Sequence, residues 1–341
     1  MKKIFPTRKK GISFLPKKWI LAICLVSIAG NTPATQPPKS GKAYVVSNAH
    51  LDTQWLWTVR TSIIDYIPRT IYQNLALIHD YPDYIFNFEG AVKYNWMKEY
   101  YPLDYEKVKE AIKNGRWHVS GSSWDANDVN VPSPESSFRN ILLGQEFYKK
   151  EFGLKSTDIF LPDCFGFGYT LPSIAKHCGL IGFSTQKLGW RKKPFYGDSK
   201  IPFTIGRWKG IDGAELICAL DCGSYVHNFK DDDLTKDNDL IQSVERDPMR
   251  TAYRYFGAGD RGGSAMPVSA MAIEKAQVSG DGPIEIVCAS SDQLYKDYLH
   301  SGKVKELPVF DGELLMDVHA SGCYTSQSAM KRFNRRNEQL A

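Results

Sequence analysis

Cysteine is sparse in this chain of 341 residues, and its spacing follows no regular pattern. Cys24 lies near the N-terminus, and the other six are scattered: Cys164, Cys178, Cys218, Cys222, Cys288 and Cys323. In a domain of this size, such spacing indicates free or occasionally paired thiols and excludes a disulfide framework as the basis of the fold. With 43% hydrophobic and 24% charged residues, the chain instead has the composition of a globular protein that buries a core.

Acidic residues are absent from the first 34 positions, which carry seven basic side chains followed by an apolar run at residues 19–30. The run is shorter than the ~20 residues that span a bilayer. The pattern of residues 1–34 therefore predicts a cleaved signal peptide and leader. Cleavage would export the protein to the periplasm or the extracellular space. The alternative is a retained membrane anchor. Subtracting the seven basic charges from the formal net charge of +5 leaves −2, which removes the main support for nucleic-acid binding.

Beyond the leader, short apolar runs alternate with amphipathic segments, which predicts the α/β class. We expect a mostly parallel, seven-stranded, barrel-like sheet with covering helices. The predicted organisation is a linker at residues 35–42, an α/β domain at residues 43–318, and a segment at residues 319–341 that begins a helical bundle. A helix is predicted over residues 63–79, with Pro68 at a start or kink, whereas the polar and later glycine-rich residues 230–271 show no clear regular order.

His50, Asp52 and Trp55 follow the strand-like run Tyr44-Val45-Val46. Side chains two apart on a strand share a face, so His50 and Asp52 are placed as two ligands of a metal such as zinc. A histidine and an aspartate at a strand end also occur together by chance. Trp55 is either an ordinary core or interface aromatic or a flat wall for the apolar side of a sugar ring.

Two further carboxylates occupy turns. Asp163 follows a short apolar strand and precedes two aromatic residues and two glycines, a position that suits ligand binding but also helix capping. Asp260 lies in the glycine-rich residues 255–263, which lack the GxxxxGK[ST] phosphate pattern. Glycoside hydrolysis requires two carboxyl groups flanking one bond, and Asp163 with Asp260 meets that requirement. His319 is a candidate for a further metal ligand, although a lone histidine is more often structural.

In this order, the four stretches resemble the catalytic domain of the α-mannosidases of glycoside hydrolase family 38, particularly the bacterial members. His50-x-Asp52-x-x-Trp55 is similar to the zinc and sugar-stacking motif, and residues 256–263 are similar to the loop that bears the acid/base. Residues 132–139 are similar to a PSGES-type segment of the family, with Pro134 in place of glycine. The resemblance extends from about residue 43 to the C-terminus.

The resemblance implies a retaining exo-α-mannosidase that acts on α-mannoside-containing oligosaccharides or N-glycans, with Asp163 as the nucleophile and Asp260 as the acid/base. It implies one zinc ion, or another divalent metal, held by four ligands: His50, Asp52, Asp163 and His319. It also implies four substrate-binding side chains: Trp55, Trp124, Arg139 and Tyr324.

Two alternatives remain open. Family members continue through a helical bundle and β-sandwich domains, whereas this sequence stops at Ala341, so an inactive, truncated fragment that binds zinc and sugar is one alternative. A metal-dependent carbohydrate deacetylase on a related barrel is the other. That enzyme requires an HxxxH helix, and no two histidines of this sequence are four residues apart.

Overall fold

The computed structural model describes residues 39–189, 201–316 and 327–341. The predicted leader, His319 and Tyr324 lie outside these described residues. Across the described ranges, strands and helices alternate along the chain, as the α/β pattern predicts. None of the helices in those ranges combines the length and the apolar character needed to cross a membrane.

The strands fall into two five-stranded sheets. The strands are β1 (Gly41–Ala49), β2 (Phe86–Glu89), β3 (Trp117–Ser120), β4 (Asp158–Phe160), β5 (Gly182–Ser184), β6 (Ile205–Lys209), β7 (Glu215–Ala219), β8 (Thr251–Ala258), β9 (Ile284–Cys288) and β10 (Val309–Asp311). The first sheet has the order β3-β2-β1-β8, with β9 also paired to β1, and the second has the order β10-β6-β7-β5-β4. Neighbouring strands are parallel, except for the antiparallel pair β6 and β7.

The α/β class, with parallel strands and covering helices, is confirmed. The expected count of seven strands is not confirmed, because the described residues form ten strands in two sheets. Barrel closure is not confirmed either, since no ladder among the described strand pairs joins the two sheets. Strands as short as three residues, such as β4 and β5, carry too little alternation to be counted from sequence.

The helices longer than one turn are α1 (Ile67–Asp80), α2 (Ala91–Tyr100), α3 (Pro102–Lys113), α4 (Pro134–Phe152), α5 (Leu171–His177), α6 (Asn238–Arg246), α7 (Pro267–Ser279), α8 (Gln293–Ser301) and α9 (Ser328–Leu340). A helical turn (Val59–Thr61) and a π-helical stretch (Ser62–Tyr66) run directly into α1. Pro68 stands in the first turn of α1, where a missing N–H is tolerated. At α4, Ser133 Oγ accepts from the Ser136 amide and Gly153 closes the helix at φ 70°.

Strand β1 is the centre of the first sheet. It pairs with β8 along residues 42–49, while its other edge is covered by β9 in its first half and by β2 near its end. Val45 belongs to the core between this sheet and its helices, whereas Tyr44 and Val46 belong to a second core that includes Phe160 of β4 and Ile217 of β7. Burial on both faces explains the continuous apolar run of β1. The same packing sets where β1 ends and the loop that begins at His50 starts.

Candidate active site

The predicted site residues follow the carboxyl ends of three strands. His50 and Asp52 come one and three residues after β1, Asp163 comes three residues after β4, and Asp260 comes two residues after β8. Side chains at this edge are where α/β sheets bind ligands. The backbone links two of these segments, because the Asp52 amide donates to the Asp260 carbonyl at 2.9 Å and the Gly262 amide donates to the His50 carbonyl at 3.0 Å.

His50, Asp52 and Asp163 form a compact group, called the His-Asp-Asp cluster below. One ligand atom from each residue lies within 4.8 Å of the others. His50 Nε2 lies 3.4 Å from Asp52 Oδ1 and 3.7 Å from Asp163 Oδ2. The imidazole is buried, and this Nε2 forms no hydrogen bond with any described residue.

The other nitrogen of His50, Nδ1, lies 2.8 Å from Glu89 Oε1 at the end of β2. Burial by itself lowers the pKa of His50, but the Asp52 and Glu89 carboxylates outweigh it and raise the pKa to about 10. Burial likewise acts to raise the pKa of Glu89, but Lys93 and His50 outweigh it and bring the pKa to about 2. The electrostatic environment at Nε2 therefore favours a positive charge, either a proton or a metal ion.

This arrangement fits zinc. Zinc accepts imidazole nitrogen and carboxylate oxygen, and a histidine ligand commonly gives its second N–H to a carboxylate, which is the position Glu89 occupies. The buried Nε2, with two carboxylates beside it, is a coordinating atom without a protein partner among the described residues. The predicted fourth ligand, His319, lies outside the described residues.

Lys187 is a buried cation at the cluster. Its Nζ forms an ion pair with Asp163 Oδ1 and lies over the rings of Phe165, at 5.2 Å, and Tyr225, at 5.6 Å. Asp163 thus faces His50 with one oxygen and Lys187 with the other. The ion pair with Lys187 is the closer of the two contacts.

Asp260 is tied to the cluster through Tyr225. The Tyr225 hydroxyl donates to Asp260 Oδ1 at 2.8 Å, and the Tyr225 ring centroid lies 5.4 Å from that of His50. Burial, then Asp163 and the hydrogen bond to Asp260, raise the pKa of Tyr225 well above its ordinary value, so the hydroxyl keeps its proton. The bond holds Oδ1 of Asp260.

The loop around Asp260 has an unusual backbone. Asp260 itself has φ 59°, in the left-handed region that few residues other than glycine adopt. Gly257 has φ 138°, and a Cβ there would overlap the carbonyl oxygen of Asn48 in β1. A Cβ on Gly259 would overlap the ring of Tyr225. The glycines therefore let this loop lie against β1 and Tyr225, which sets the direction of Asp260.

A cavity of about 280 Å³ opens beside the cluster, near the lower end of the range of ligand pockets, about 300–1,000 Å³. It is lined by ten residues: His50, Asp52, Ala126, Asn127, Asp128, Leu161, Pro162, Asp163, Cys164 and Phe165. Residues 126–128 reach the cavity because their loop is held to the loop after β1, where Thr53 Oγ1 donates to Asp125 Oδ2 at 2.6 Å. Five of the ten lining residues carry polar side chains, which can form hydrogen bonds with the hydroxyl groups of a ligand.

The predicted sugar-stacking residues lie in different surroundings. Trp55 is 61% exposed on the loop after Asp52, with its ring 6.0 Å from that of Trp57. Trp124 does not line the cavity, and its ring packs edge-on against Phe147 of α4 at 5.9 Å. Trp55 thus offers an open aromatic face, whereas Trp124 packs against a helix.

Arg139 does not line the cavity either. It stands on the exposed side of α4, where its guanidinium donates twice to Glu135, at 3.1 and 2.7 Å. The fourth predicted substrate-binding residue, Tyr324, lies outside the described residues.

Four residues around the cluster were missed from the sequence: Glu89, Lys93, Lys187 and Tyr225. Glu89 ends an apolar strand, a position at which an acidic residue is a usable signal for a site. Lys187 follows β5, and Tyr225 lies between β7 and β8. Neither residue has a local sequence pattern that distinguishes it from a surface residue.

Comparisons with known proteins identify the family of the chain. Residues 40–313 match the family described as Glycosyl hydrolases family 38 N-terminal domain. "Alpha-mannosidase G" of Dictyostelium discoideum is 33% identical over 299 residues, which cover 86% of this chain and 26% of that protein. "Alpha-mannosidase 2C1" of Homo sapiens is 30% identical over 301 residues, which cover 87% of this chain and 28% of that protein. The chain therefore spans about a quarter of the length of these curated relatives.

Among solved structures, an alpha-mannosidase from Enterococcus faecalis V583 superposes with a TM-score of 0.65 at 21% sequence identity. The match covers 80% of this chain and 31% of that one. At this identity the likeness concerns the fold.

Proposed function

The chain belongs to glycosyl hydrolase family 38 through that family's N-terminal domain, and we propose that it hydrolyses terminal α-mannosidic bonds of glycans with retention of configuration. The observation that carries the proposal is the meeting of the His-Asp-Asp cluster with Asp260, joined by Tyr225. The names of the α-mannosidase relatives support an α-mannoside as the substrate class, and we propose an α-mannoside-containing oligosaccharide or N-glycan.

A zinc ion is proposed as the cofactor, with His50, Asp52, Asp163 and His319 as its ligands. When bound, zinc would act as a Lewis acid that orients two sugar hydroxyls and favours ring distortion. The support within the described residues is the donor set of one imidazole and two carboxylates. Another divalent metal that prefers imidazole nitrogen and carboxylate oxygen would bind to the same ligand atoms.

Asp163 is proposed as the nucleophile. One of its oxygens would form a bond to the anomeric carbon while the bond from that carbon to the leaving oxygen breaks. Lys187 holds the carboxylate in one orientation, which reduces the entropy lost on reaching the transition state. The Phe165 and Tyr225 rings against Lys187 keep that ammonium in place.

Asp260 is proposed as the acid/base. Its Oδ2 proton would pass to the leaving oxygen in the first step. In the second step the Asp260 carboxylate would take a proton from the water that attacks the anomeric carbon, which releases Asp163 and retains the configuration. Tyr225 contributes by holding Oδ1, so that Oδ2 remains the atom that exchanges the proton.

Of the three proposed substrate-binding residues that the structure describes, Trp55 is the best placed, because its ring is exposed on the loop that carries Asp52. Trp124, Arg139 and Tyr324 are the other proposed substrate-binding residues.

Export is also proposed, by cleavage of the leader at residues 1–34. N-terminal sequencing of the secreted protein tests it, and an intact leader would contradict export.

The function is tested by release of the aryl group from an aryl α-mannoside by the purified protein, first with zinc and then after removal of zinc by a chelator. We expect release that needs zinc and that is lost in Asp163→Ala. An aryl α-glucoside serves as the control for the sugar. A folded, zinc-loaded protein that binds mannose without turnover would contradict the proposal.

A further inference from the structure

Behind His50 lies an ion pair that the proposed reaction does not use. Glu89 ends β2 and Lys93 belongs to the first turn of α2. Glu89 is 2% exposed and Lys93 is fully buried. One oxygen, Glu89 Oε1, lies 2.8 Å from His50 Nδ1 and 3.1 Å from Lys93 Nζ. Glu89 Oε2 has no hydrogen-bond partner among the described residues.

The local backbone is adapted to this lysine. Gly90, between β2 and α2, has φ 88°, and a Cβ there would lie 3.4 Å from Lys93 Nζ. Lys93 Nζ also lies 5.6 Å from the centre of the Phe88 ring. Any other residue at Gly90 would be strained by the positive φ, and its Cβ would contact the end of the Lys93 side chain. The turn from strand to helix therefore lies directly against a buried charge.

Stability alone is a weak reason for such a pair. Desolvation of two buried charges offsets most of their attraction, so an apolar pair of similar volume is often at least as stable. The contact with His50 gives the pair a different role. A carboxylate that accepts from Nδ1 fixes the proton on that nitrogen and directs the lone pair of Nε2 outward. Here Nε2 is directed at the Asp52 and Asp163 carboxylates.

The charges around His50 indicate what Lys93 adds. Asp52 and Asp163 place two carboxylates at Nε2, and Glu89 places a third carboxylate at Nδ1. Three carboxylates around one buried imidazole repel each other unless a cation lies close by. Lys93 supplies one positive charge on the side of the imidazole opposite the cluster.

We infer that Glu89 is a positioning residue for metal binding, which fixes the tautomer and ring orientation of His50, and that Lys93 balances the buried charge of Glu89. The inference rests on the proposed function only in taking His50 as a metal ligand. It assigns Glu89 to the affinity of the site for its metal, and Lys93 to the stability of Glu89 in its buried position.

The test is the double substitution Glu89→Leu with Lys93→Met, which removes both charges and leaves neither one unpaired. Zinc affinity is measured on the full chain by competition with a chelating dye. We expect affinity to fall about 10- to 100-fold, as for other carboxylates that hold a ligating histidine. The thermal midpoint of the metal-free protein should change little, because the pair contributes little net stability. In the cobalt-substituted protein, the visible absorption bands should also shift, since the orientation of His50 changes.

Single substitutions separate the two roles. Glu89→Gln keeps an acceptor for Nδ1 but removes the charge, and should weaken zinc by about 10-fold, at the mild end of the range for such partners. Lys93→Met leaves Glu89 on His50, so it should lower the thermal midpoint of the metal-free protein without weakening zinc binding. The control is Lys98→Met with Glu151→Gln, which removes an ion pair between α2 and α4, away from His50, and should leave zinc affinity unchanged.

A folded double variant with unchanged zinc affinity would overturn the inference and make the pair purely structural. If the double variant does not fold, Glu89→Gln decides, and unchanged affinity in that variant has the same meaning. A wild-type protein that binds no zinc would overturn it too. A wild-type protein that binds zinc but hydrolyses no mannoside would contradict the proposed function and leave this inference intact.

Discussion

Tyr225→Phe is the sharpest probe of the proposed acid/base, because it deletes one hydroxyl and keeps the ring. The hydroxyl donates to Asp260 Oδ1 at 2.8 Å, and the ring contacts His50 and lies over Lys187. With phenylalanine these ring contacts persist. Only the orientation of the Asp260 carboxyl group loses its support.

The size of the effect follows from that one bond. A hydrogen bond to a charged group contributes about 1.5–3 kcal/mol, and each 1.4 kcal/mol changes a rate by about tenfold. Asp260 is partly exposed, so water replaces part of the lost bond. We therefore expect kcat/KM to fall about 10- to 30-fold, in the lower part of that range.

The assay compares aryl α-mannosides whose leaving groups differ in acidity. The kcat/KM for poor leaving groups, which need the proton from Asp260, should fall the most, and that for an activated aryl group the least. Tyr253→Phe is the matched control. It deletes a buried hydroxyl that donates to the Ser291 carbonyl at 2.9 Å, and should lower stability by about 1 kcal/mol without changing kcat/KM.

Equal losses for good and poor leaving groups would refute the reasoning, since Tyr225 would then act on something other than the proton transfer. An unchanged kcat/KM for all substrates would refute it as well. Zinc content measured on the same samples shows whether a loss comes from the nearby cluster instead.

Three other predictions concern the acid/base, the fourth ligand and acid stability. Asp260→Ala should reduce kcat/KM for poor leaving groups far more than for activated ones, and equal losses would remove its acid/base role. His319→Ala should lower zinc occupancy in metal analysis, and full occupancy would place the fourth ligand elsewhere. Burial acts to raise the pKa of Asp292, but His118 and the hydrogen bonds from Lys296 and Thr157 outweigh it and lower the pKa to about 2. Because the folded pKa lies below the unfolded one, this group stabilises the protein above about pH 4 and loses that effect as the pH falls towards 2. Denaturant titrations should therefore find Asp292→Asn less stable by at most about 2 kcal/mol at pH 7. A difference that persisted at pH 2 would contradict this cause.

Sequence patterns were sufficient to place the site residues that follow apolar strands. His50 and Asp52 come after β1, whose continuous apolar run is visible because both of its faces are buried. Asp163 follows β4, and a strand that feeds a glycine-containing turn marks a sheet edge. Three of the four predicted metal ligands fall together in the described structure for this reason.

Strand β8 was not predicted, although it pairs with β1 along its whole length. Its residues, Thr251–Ala258, contain Arg254, which interrupts the apolar pattern. The structure explains the arginine: its guanidinium donates to the Asp221 carbonyl and to Ser243 Oγ, contacts with residues that the sequence does not connect to the strand. Non-local partners of this kind are not encoded in local periodicity.

The buried charges were missed for a related reason. Lysine and glutamate are usually exposed, so Glu89 and Lys93, four residues apart, have the spacing of an ordinary surface pair. They are buried because β2 gives way to α2 at Gly90, within the hydrophobic core of the first sheet. Their burial depends on that packing and on His50, which comes from a different strand.

Backbone hydrogen bonds join the segment of Asp260, the proposed acid/base, to the segment of His50 and Asp52. The functional side chains can therefore be changed without changing the spacing of the two segments. The Asp52 amide binds the Asp260 carbonyl, and the Gly262 amide binds the His50 carbonyl. Neither bond uses a side chain. Truncation of the Asp52 side chain, or replacement of Asp260 by asparagine, which tolerates the φ of 59°, therefore removes a functional group while the two segments keep their spacing. Gly262, at φ 65°, differs, because a Cβ there would overlap Thr70 Oγ1 and displace both segments. Activity lost by these two aspartate substitutions can thus be assigned to chemistry, whereas activity lost by substitution of Gly262 can be assigned to a changed spacing.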